Sequence, residues 1–324
     1  MLAMIARRLA QLPLIVGIIL ALTLTLAWGV PGNPLENPEG RRPPPEVAEA
    51  MLRQYNLHSF PRFAMSYVDS ASGLRWLRER GGDASPLDDD LPIFDLGPSL
   101  HYPDQRVNDI LADSLPVSVT LGAAAILIAI VLGVGAGVIG AARPGSLADT
   151  LTLAVALVGI SLPSFVVGSL LLLVFGVWLA WFPIGGWGGL AQLPLPAITL
   201  ALPFAAYIAR LTRMGMVESL SADFIRTARA KGLHEARVLL RHALRNALLP
   251  VVSYLGPATA LAMTGSFVVE RVFFIPGIGQ HFVNAVQNKD LFLIIGVVLV
   301  FSTMLVLFNL VVDVLYRWID PRIE

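Results

Sequence analysis

Residues 150–209 read TLTLAVALVGISLPSFVVGSLLLLVFGVWLAWFPIGGWGGLAQLPLPAITLALPFAAYIA, a stretch free of Asp, Glu, Lys and Arg. A helix crosses the hydrocarbon core of a bilayer in roughly 20 apolar residues, so this stretch holds more than one crossing. Its middle, WFPIGGWGGLAQLPLP (181–196), is rich in Pro and Gly and reads as a turn. The aromatics Trp178, Trp181, Phe182 and Trp187 around that turn suit a membrane–water boundary. Working outward, four further charge-free windows, Leu9–Leu35, Ser114–Ala142, Asn246–Val269 and Leu291–Val312, each fit one crossing. The pattern predicts an all-α integral membrane protein of six transmembrane helices, about 9–30, 115–142, 148–181, 196–217, 248–269 and 291–316.

The composition agrees: 56% hydrophobic, 14% charged and a mean hydropathy of +0.71 over 324 residues. The net charge is zero, but it is unevenly placed. With the N-terminus inside, the inner face receives 13 basic and 7 acidic residues, and the outer face 10 basic and 16 acidic. Cationic loops stay cytoplasmic, so both termini are expected inside. Residues 1–30 then form the first transmembrane helix and 31–112 an extracytoplasmic segment. Residues 113–324 form a five-helix core with a cytoplasmic segment at 222–248. The first apolar stretch exceeds a usual signal-peptide h-region and lacks a small-x-small cleavage site, so it is read as a retained anchor. The outer insertion carries 11 of the 23 prolines. Within it PPEVAEAMLRQYNL reads as a short helix with apolar residues at Val47, Met51 and Tyr55, whereas GGDASPLDDDLPIFDLGPSLHYPD is acidic and turn-rich. Two readings stand for this insertion: a solvated loop with little core of its own, or a lobe that covers an outer mouth and meets an external partner.

Several motifs fail for physical reasons. GAGVIG (135–140) matches G-x-G-x-x-G but lies inside a charge-free window, where close packing of transmembrane helices accounts for its small residues. HEARV (234–238) places Val238 where H-E-x-x-H needs a second imidazole, so no metal site is expected. Ser161, Ser164 and Ser266 have no His at membrane depth to activate them. There is no Walker A sequence. Charges such as Asp113, Arg210, Arg213 and Asp313 sit near helix ends, so the ionisable relays of ion-driven transporters are not expected, while a Na⁺ site of backbone carbonyls stays open. The helix middles instead carry Pro163, Pro203 and Pro257, which are hinge candidates.

Between Asp223 and Pro250 the chain reads DFIRTARAKGLHEARVLLRHALRNALLP. Asp223 is placed to cap a helix from Phe224 to Lys231, with Gly232 ending it. Beyond it His234, Arg237, Arg241 and Arg245 form a cationic stripe, and Leu233, Ala236, Leu240, Leu244 and Ala247 an apolar one. The physics leaves two readings: a loop held to anionic lipid, or a docking helix for a soluble partner that supplies energy. Nucleic acid is not expected, because no recognition module surrounds the patch.

DFIRTARAKGL followed by RHALRNALLP resembles the cytoplasmic signature of membrane subunits of binding-protein-dependent ATP-binding-cassette importers, in the peptide-transport branch. VPGNP, FDLGPSL, VNDILADSLPVS, PSFVVG, PGIGQHFVNAV and DVLYRWIDPRI extend the likeness over nearly the whole chain, most similar to the first membrane subunit of oligopeptide permeases. Where the importer-wide motif has Glu-Ala-Ala, this chain has Arg226-Thr227-Ala228, so no role is carried over from that Glu. The resemblance implies a multi-pass subunit of a prokaryotic inner membrane, itself not an enzyme and without a cofactor. ATP and Mg would be handled by two partner ATPases, beside a second, homologous permease subunit. An external binding protein would deliver oligopeptides; dipeptides, nickel chelates or another solute are alternative cargoes, and an autonomous secondary transporter or a scaffold an alternative class. It further implies a coupling helix for ATPase docking over Asp223, Phe224, Ile225, Arg226, Thr227, Ala228, Arg229, Ala230, Lys231 and Gly232. FFIPGIGQHF (273–282) is expected to form a re-entrant outer gate at Pro276, Gly277 and Gly279.

Overall fold

The computed structural model describes residues 2–31, 34–35, 44–80, 92–102 and 104–319. Parts of VPGNP, the acidic run at 81–91 and the closing DPRIE lie outside the described residues. In chain order the helices are α1 (Leu2–Gly29), α2 (Pro45–Gln54), α3 (Phe60–Ala71), α4 (Leu74–Arg80), α5 (Val107–Ala142), α6 (Leu147–Ser161), α7 (Ser164–Leu171), α8 (Pro194–Ser221), α9 (Asp223–Ala230), α10 (Glu235–Arg237), α11 (Leu244–Ala247), α12 (Leu249–Met263), α13 (Phe267–Val272), α14 (Ile278–Asn288) and α15 (Leu291–Ile319). Wide, π-helical turns follow α7 (Leu172–Trp178) and α10 (Val238–Ala243).

Four helices are long and apolar enough to cross a membrane among the described residues, and six crossings result if each of two bent pairs is one span. The bent pairs depart from the expected straight helices. The predicted 148–181 helix breaks by 105° between α6 and α7, and the second bend, 55°, falls at Leu248 between α11 and α12, the predicted 248–269 helix itself ending at Met263. The first break lies at Leu162-Pro163. Proline cannot donate to the helical ladder and pushes its predecessor to extended backbone, and Leu162 sits at φ −79°, ψ 130°.

The chain divides into two compact units. One comprises chiefly Pro116–Gly279 with the helix continuing from Met304. There α6, α7 and α12 pack along α8, around a core that includes Leu121, Ala125, Ala201, Ile208, Val251, Ala258 and Phe273. The glycines of α5 permit that packing. A Cβ at Gly137 would lie 2.5 Å from Thr212 Cβ and 2.7 Å from Ala209 O of α8. The G-x-G-x-x-G match is therefore only partly a helix-packing face, since a Cβ at Gly135 would meet nothing within 4 Å.

The other unit comprises Arg7–Leu115 and Gln280–Thr303. The insertion after α1 carries three helices, α2, α3 and α4, of which the sequence analysis foresees only the first, and its buried aromatics pack against α1 and the start of α15. Trp28, Phe63, Tyr67 and Phe292 form an aromatic cluster with ring centroids 5.5–6.1 Å apart. FDLGPSL is tied to the start of α5: Leu96 N donates to Asn108 Oδ1 (2.9 Å), Asn108 Nδ2 to Phe94 O (2.7 Å), and Val107 N to Gly97 O (2.9 Å). Asp290, just before α15, accepts from the Ser99 hydroxyl, Leu100 N (3.1 Å) and Leu293 N (3.2 Å). Burial pushes its carboxyl above the ordinary range against those hydrogen bonds.

Candidate functional site: the cationic segment and its cradle

α9 begins one residue earlier than the sequence predicts. Ala222 takes the extended conformation (φ −74°, ψ 153°) and stands as N-cap without a capping side chain. Asp223 is therefore inside the first turn, where its charge favours the positive end of the helix dipole. It pairs with Arg226 (3.2 Å) instead of capping the backbone. Gly232 ends the helix as expected, at φ +75°. Gly232 N donates to Arg229 O (2.9 Å) and Leu233 N to Ala228 O (3.3 Å), the paired closing bonds of a Schellman motif.

Of the ten expected docking residues, Ile225 and Ala228 are buried in the chain's own core and offer nothing to a partner. The expected apolar anchor thus reduces to Phe224, 43% exposed. Asp223, Arg226, Thr227, Arg229, Ala230, Lys231 and Gly232 share the exposed side with it. Ile225 and Ala228 pack with Ala141 at the end of α5, Met216 near the end of α8, Val238 and Ala243 of the wide turn, and Ala247 of α11. The segment is therefore gripped by the ends of two long helices at once. Arg229 closes it sideways with two bonds to Glu235, 2.6 and 3.2 Å.

The wide turn corrects the expected apolar stripe. An i→i+5 turn inserts one residue relative to an α-helix, so the register rotates within Val238–Ala243. Val238 and Ala243 turn inward, whereas Ala236 and Leu240, 59% exposed, turn outward. His234, Arg237, Arg241 and Arg245 are nonetheless on the less buried side: the three arginines and His234 are exposed.

A feature the sequence reading missed stands beside this cradle. Arg213 of α8 donates through Nε to Asp149 Oδ1 (2.5 Å) and through a terminal nitrogen to Oδ2 (2.7 Å), and Gly145 N adds a bond to Oδ2 (2.8 Å). Ser146 caps α6 by accepting from Asp149 N (3.3 Å). The bidentate fork fixes direction as well as distance and ties the α5–α6 turn to α8. Spacing in the sequence gave no signal, because the partners are 64 residues apart.

At the expected gate, Pro276 is exposed but Gly277 and Gly279 are buried. A Cβ at Gly277 would overlap the Glu270 carboxyl and come 2.6 Å from Ser118 Oγ; one at Gly279 would lie 3.0 Å from Glu270 Oε2. The Ser118 hydroxyl donates to Glu270 Oε1 (2.8 Å) and accepts from Ile278 N (2.9 Å). Both side chains are fully buried, so the turn is wrapped around a polar pair instead of being open. Phe274 precedes it at φ +54°, a strained position for a bulky residue, and is 71% exposed. Of the hinge candidates, Pro163 stands at the break before α7, whereas Pro203 and Pro257 lie inside α8 and α12. Among the described residues no three His, Asp or Glu side chains gather as a metal site.

The model of binding-protein-dependent transport system inner membrane components matches residues 114–324. The oligopeptide transport system permease protein OppB of Haemophilus influenzae is 39% identical over 326 residues, covering 100% of both chains. The dipeptide transport system permease protein DppB of Bacillus subtilis is 44% identical over 71% of this chain and 75% of its own. A solved structure of the MetNI methionine ABC transporter in an inward-facing conformation shares the fold, with a TM-score of 0.52 and 18% identity over 66% of this chain and 97% of that one. With the family model spanning α5 to the last helix and a full-length relative beside it, this chain belongs to the binding-protein-dependent transport system inner membrane components, a multi-pass permease family of ABC importers.

Proposed function

We propose that the chain is a transmembrane subunit of an ATP-driven importer of peptides, lining a translocation path with a second, homologous permease subunit. Its termini and the 222–248 segment face the cytoplasm, and the 31–112 lobe faces outward. α9 is the coupling helix: two ATPase subunits hydrolyse ATP with Mg, and one of them receives Phe224 and the exposed basic residues of α9. An external binding protein delivers the cargo. The observation that carries this reading is the mounting of α9, whose inner face is locked to the ends of α5 and α8 while its outer face stays polar and cationic. A lipid-held loop needs no such grip. Motion imposed on α9 reaches α5 and α8 directly, as alternating access between two states requires. The family supports the architecture, and the names of the oligopeptide and dipeptide relatives support the cargo class.

Co-purification from native membrane in mild detergent, with quantitative mass spectrometry, tests it. Two P-loop ATPase copies and one other permease per copy of this chain are expected. Isolation of the chain alone or as a homodimer, even after gentle crosslinking, would overturn the reading in favour of a lipid-bound loop.

A further inference from the structure

The lobe holds a cavity of about 450 Å³, within the size range of small-molecule sites. Its lining comes from α2, α3, α4, the FDLGPSL segment and the start of α15, all within one compact unit. One wall is aromatic. Tyr55 and Tyr67 lie 5.6 and 6.0 Å from the Phe292 ring. Arg75 and Arg106 supply two guanidinium groups and Asp95 one carboxylate, with Arg106 and Asp95 3.4 Å apart. The backbone is arranged for this shape. Gly97 sits at φ +87° where any Cβ would overlap the Phe292 ring, and Asn56 at φ +56° turns the chain at the rim.

One polar group in this lining is unaccounted for. The Tyr67 hydroxyl is buried and has no hydrogen-bond partner among the described residues. Such a group costs stability unless something meets it, and a native protein that keeps one invites a functional explanation. Burial, reinforced by the charge of Asp95, pushes the phenol well above its ordinary range, so it remains a donor.

We infer that this cavity is a binding site for the carboxylate end of a short peptide. The guanidinium groups of Arg75 and Arg106 meet the carboxylate, and the Tyr55–Tyr67–Phe292 wall takes the adjoining side chain. Guanidinium and carboxylate match in geometry and charge, and aromatic faces reward an apolar neighbour. A small inorganic anion would leave that wall uncovered, and Asp95 opposes a multiply charged one. The inference rests on the peptide-import reading for its ligand class, and assigns the lobe a cargo contact of its own besides the path through the bilayer.

The test uses the full chain in lipid nanodiscs and the tripeptide Ala-Ala-benzoylphenylalanine as photoprobe, with adducts mapped by mass spectrometry. Adducts are expected on residues 54–56, 66–70 and 95–98. Free-acid Ala-Ala-Phe should compete at about tenfold lower concentration than its C-terminal amide, the worth of one charge-assisted contact. Arg106→Gln should erase that difference. Tyr67→Phe should melt no lower than the parent protein and yet weaken competition by the acid, an opposition that a purely structural role would not produce. Equal competition by acid and amide, or adducts confined to other segments, would overturn the inference, and neither depends on how a variant folds. ATP-driven uptake of the same peptides by the assembled complex tests the transport reading separately.

Discussion

Replacing Ser118 with Ala is the most informative single perturbation of the 264–279 turn. The hydroxyl has two tasks: it donates to Glu270 Oε1 and accepts from Ile278 N. Its loss strands a buried backbone N–H, which costs about 1–3 kcal/mol, and removes a hydrogen bond to a carboxyl group, about 1.5–3 kcal/mol when the group is charged. Because Glu270 keeps other interactions, the expected total is about 3–4 kcal/mol, or a fall in Tm of roughly 6–15 °C for a unit of this size. Thr199→Val is the control. Its hydroxyl donates to Leu195 O one helical turn back (2.8 Å), so its loss strands nothing and should cost less than about 1 kcal/mol. Heating followed by fluorescence-detected gel filtration in detergent reads both. A Ser118→Ala protein that melts no lower than Thr199→Val would refute the claim that this turn is pinned by a buried polar pair.

Arg213→Met should melt lower than the double variant Asp149→Asn/Arg213→Met, because the single change leaves a carboxylate without its bidentate partner; additive losses would deny the coupling. Gly232→Leu forces a branched side chain to φ +75°, at a cost of about 1–2 kcal/mol. It should uncouple ATP hydrolysis from uptake, and unchanged transport with unchanged ATPase stimulation would count against α9 as the coupling helix. At Asp290 the folded carboxyl holds its proton more tightly than the unfolded one, so its contribution to stability falls as pH rises from the ordinary 3.8 through the raised native value. The melting temperature of the parent protein minus that of Asp290→Asn should therefore decrease from pH 4 upward, and a flat difference would contradict the shift. A cysteine at Pro276, which is exposed where Gly277 is not, should crosslink to the second permease subunit and block uptake; free uptake after crosslinking would remove this turn from the gate.

The membrane-spanning framework was legible because desolvation acts on composition: a charge-free run of sufficient length has few other places to go. The cationic segment was legible for the same reason in reverse, and Gly232 because a left-handed helix end calls for glycine. What the sequence hid depends on geometry that adds up residue by residue. Helical counting puts Leu240 inside where it is outside, because the wide turn at Val238–Ala243 changes the register locally, while Ala247 beyond it is buried as the stripe expects. The break after Leu162 was missed although Pro163 was noticed, since proline bends some helices and only punctuates others, as Pro203 within α8 illustrates. Asp149 with Arg213 and Ser118 with Glu270 are 64 and 152 residues apart. Of these four only Arg213 stands out in the sequence, as a charge near a helix end, because what defines each is the partner that the fold delivers.

The aromatic cluster of the lobe has a consequence for how the protein is made. Phe63 and Tyr67 emerge early from the ribosome, but the Phe292 ring that packs against them, and the Asp290 carboxylate that holds Leu100 across a separation of 190 residues, emerge near the end. At about 5–20 residues per second, roughly 11–45 s pass with the lobe's aromatic side chains synthesised and their last partner still absent. Nascent chains halted before α15 should therefore carry an unfinished lobe that is open to proteases and chaperones. Release of the lobe from such surveillance would report that the final membrane helix has arrived.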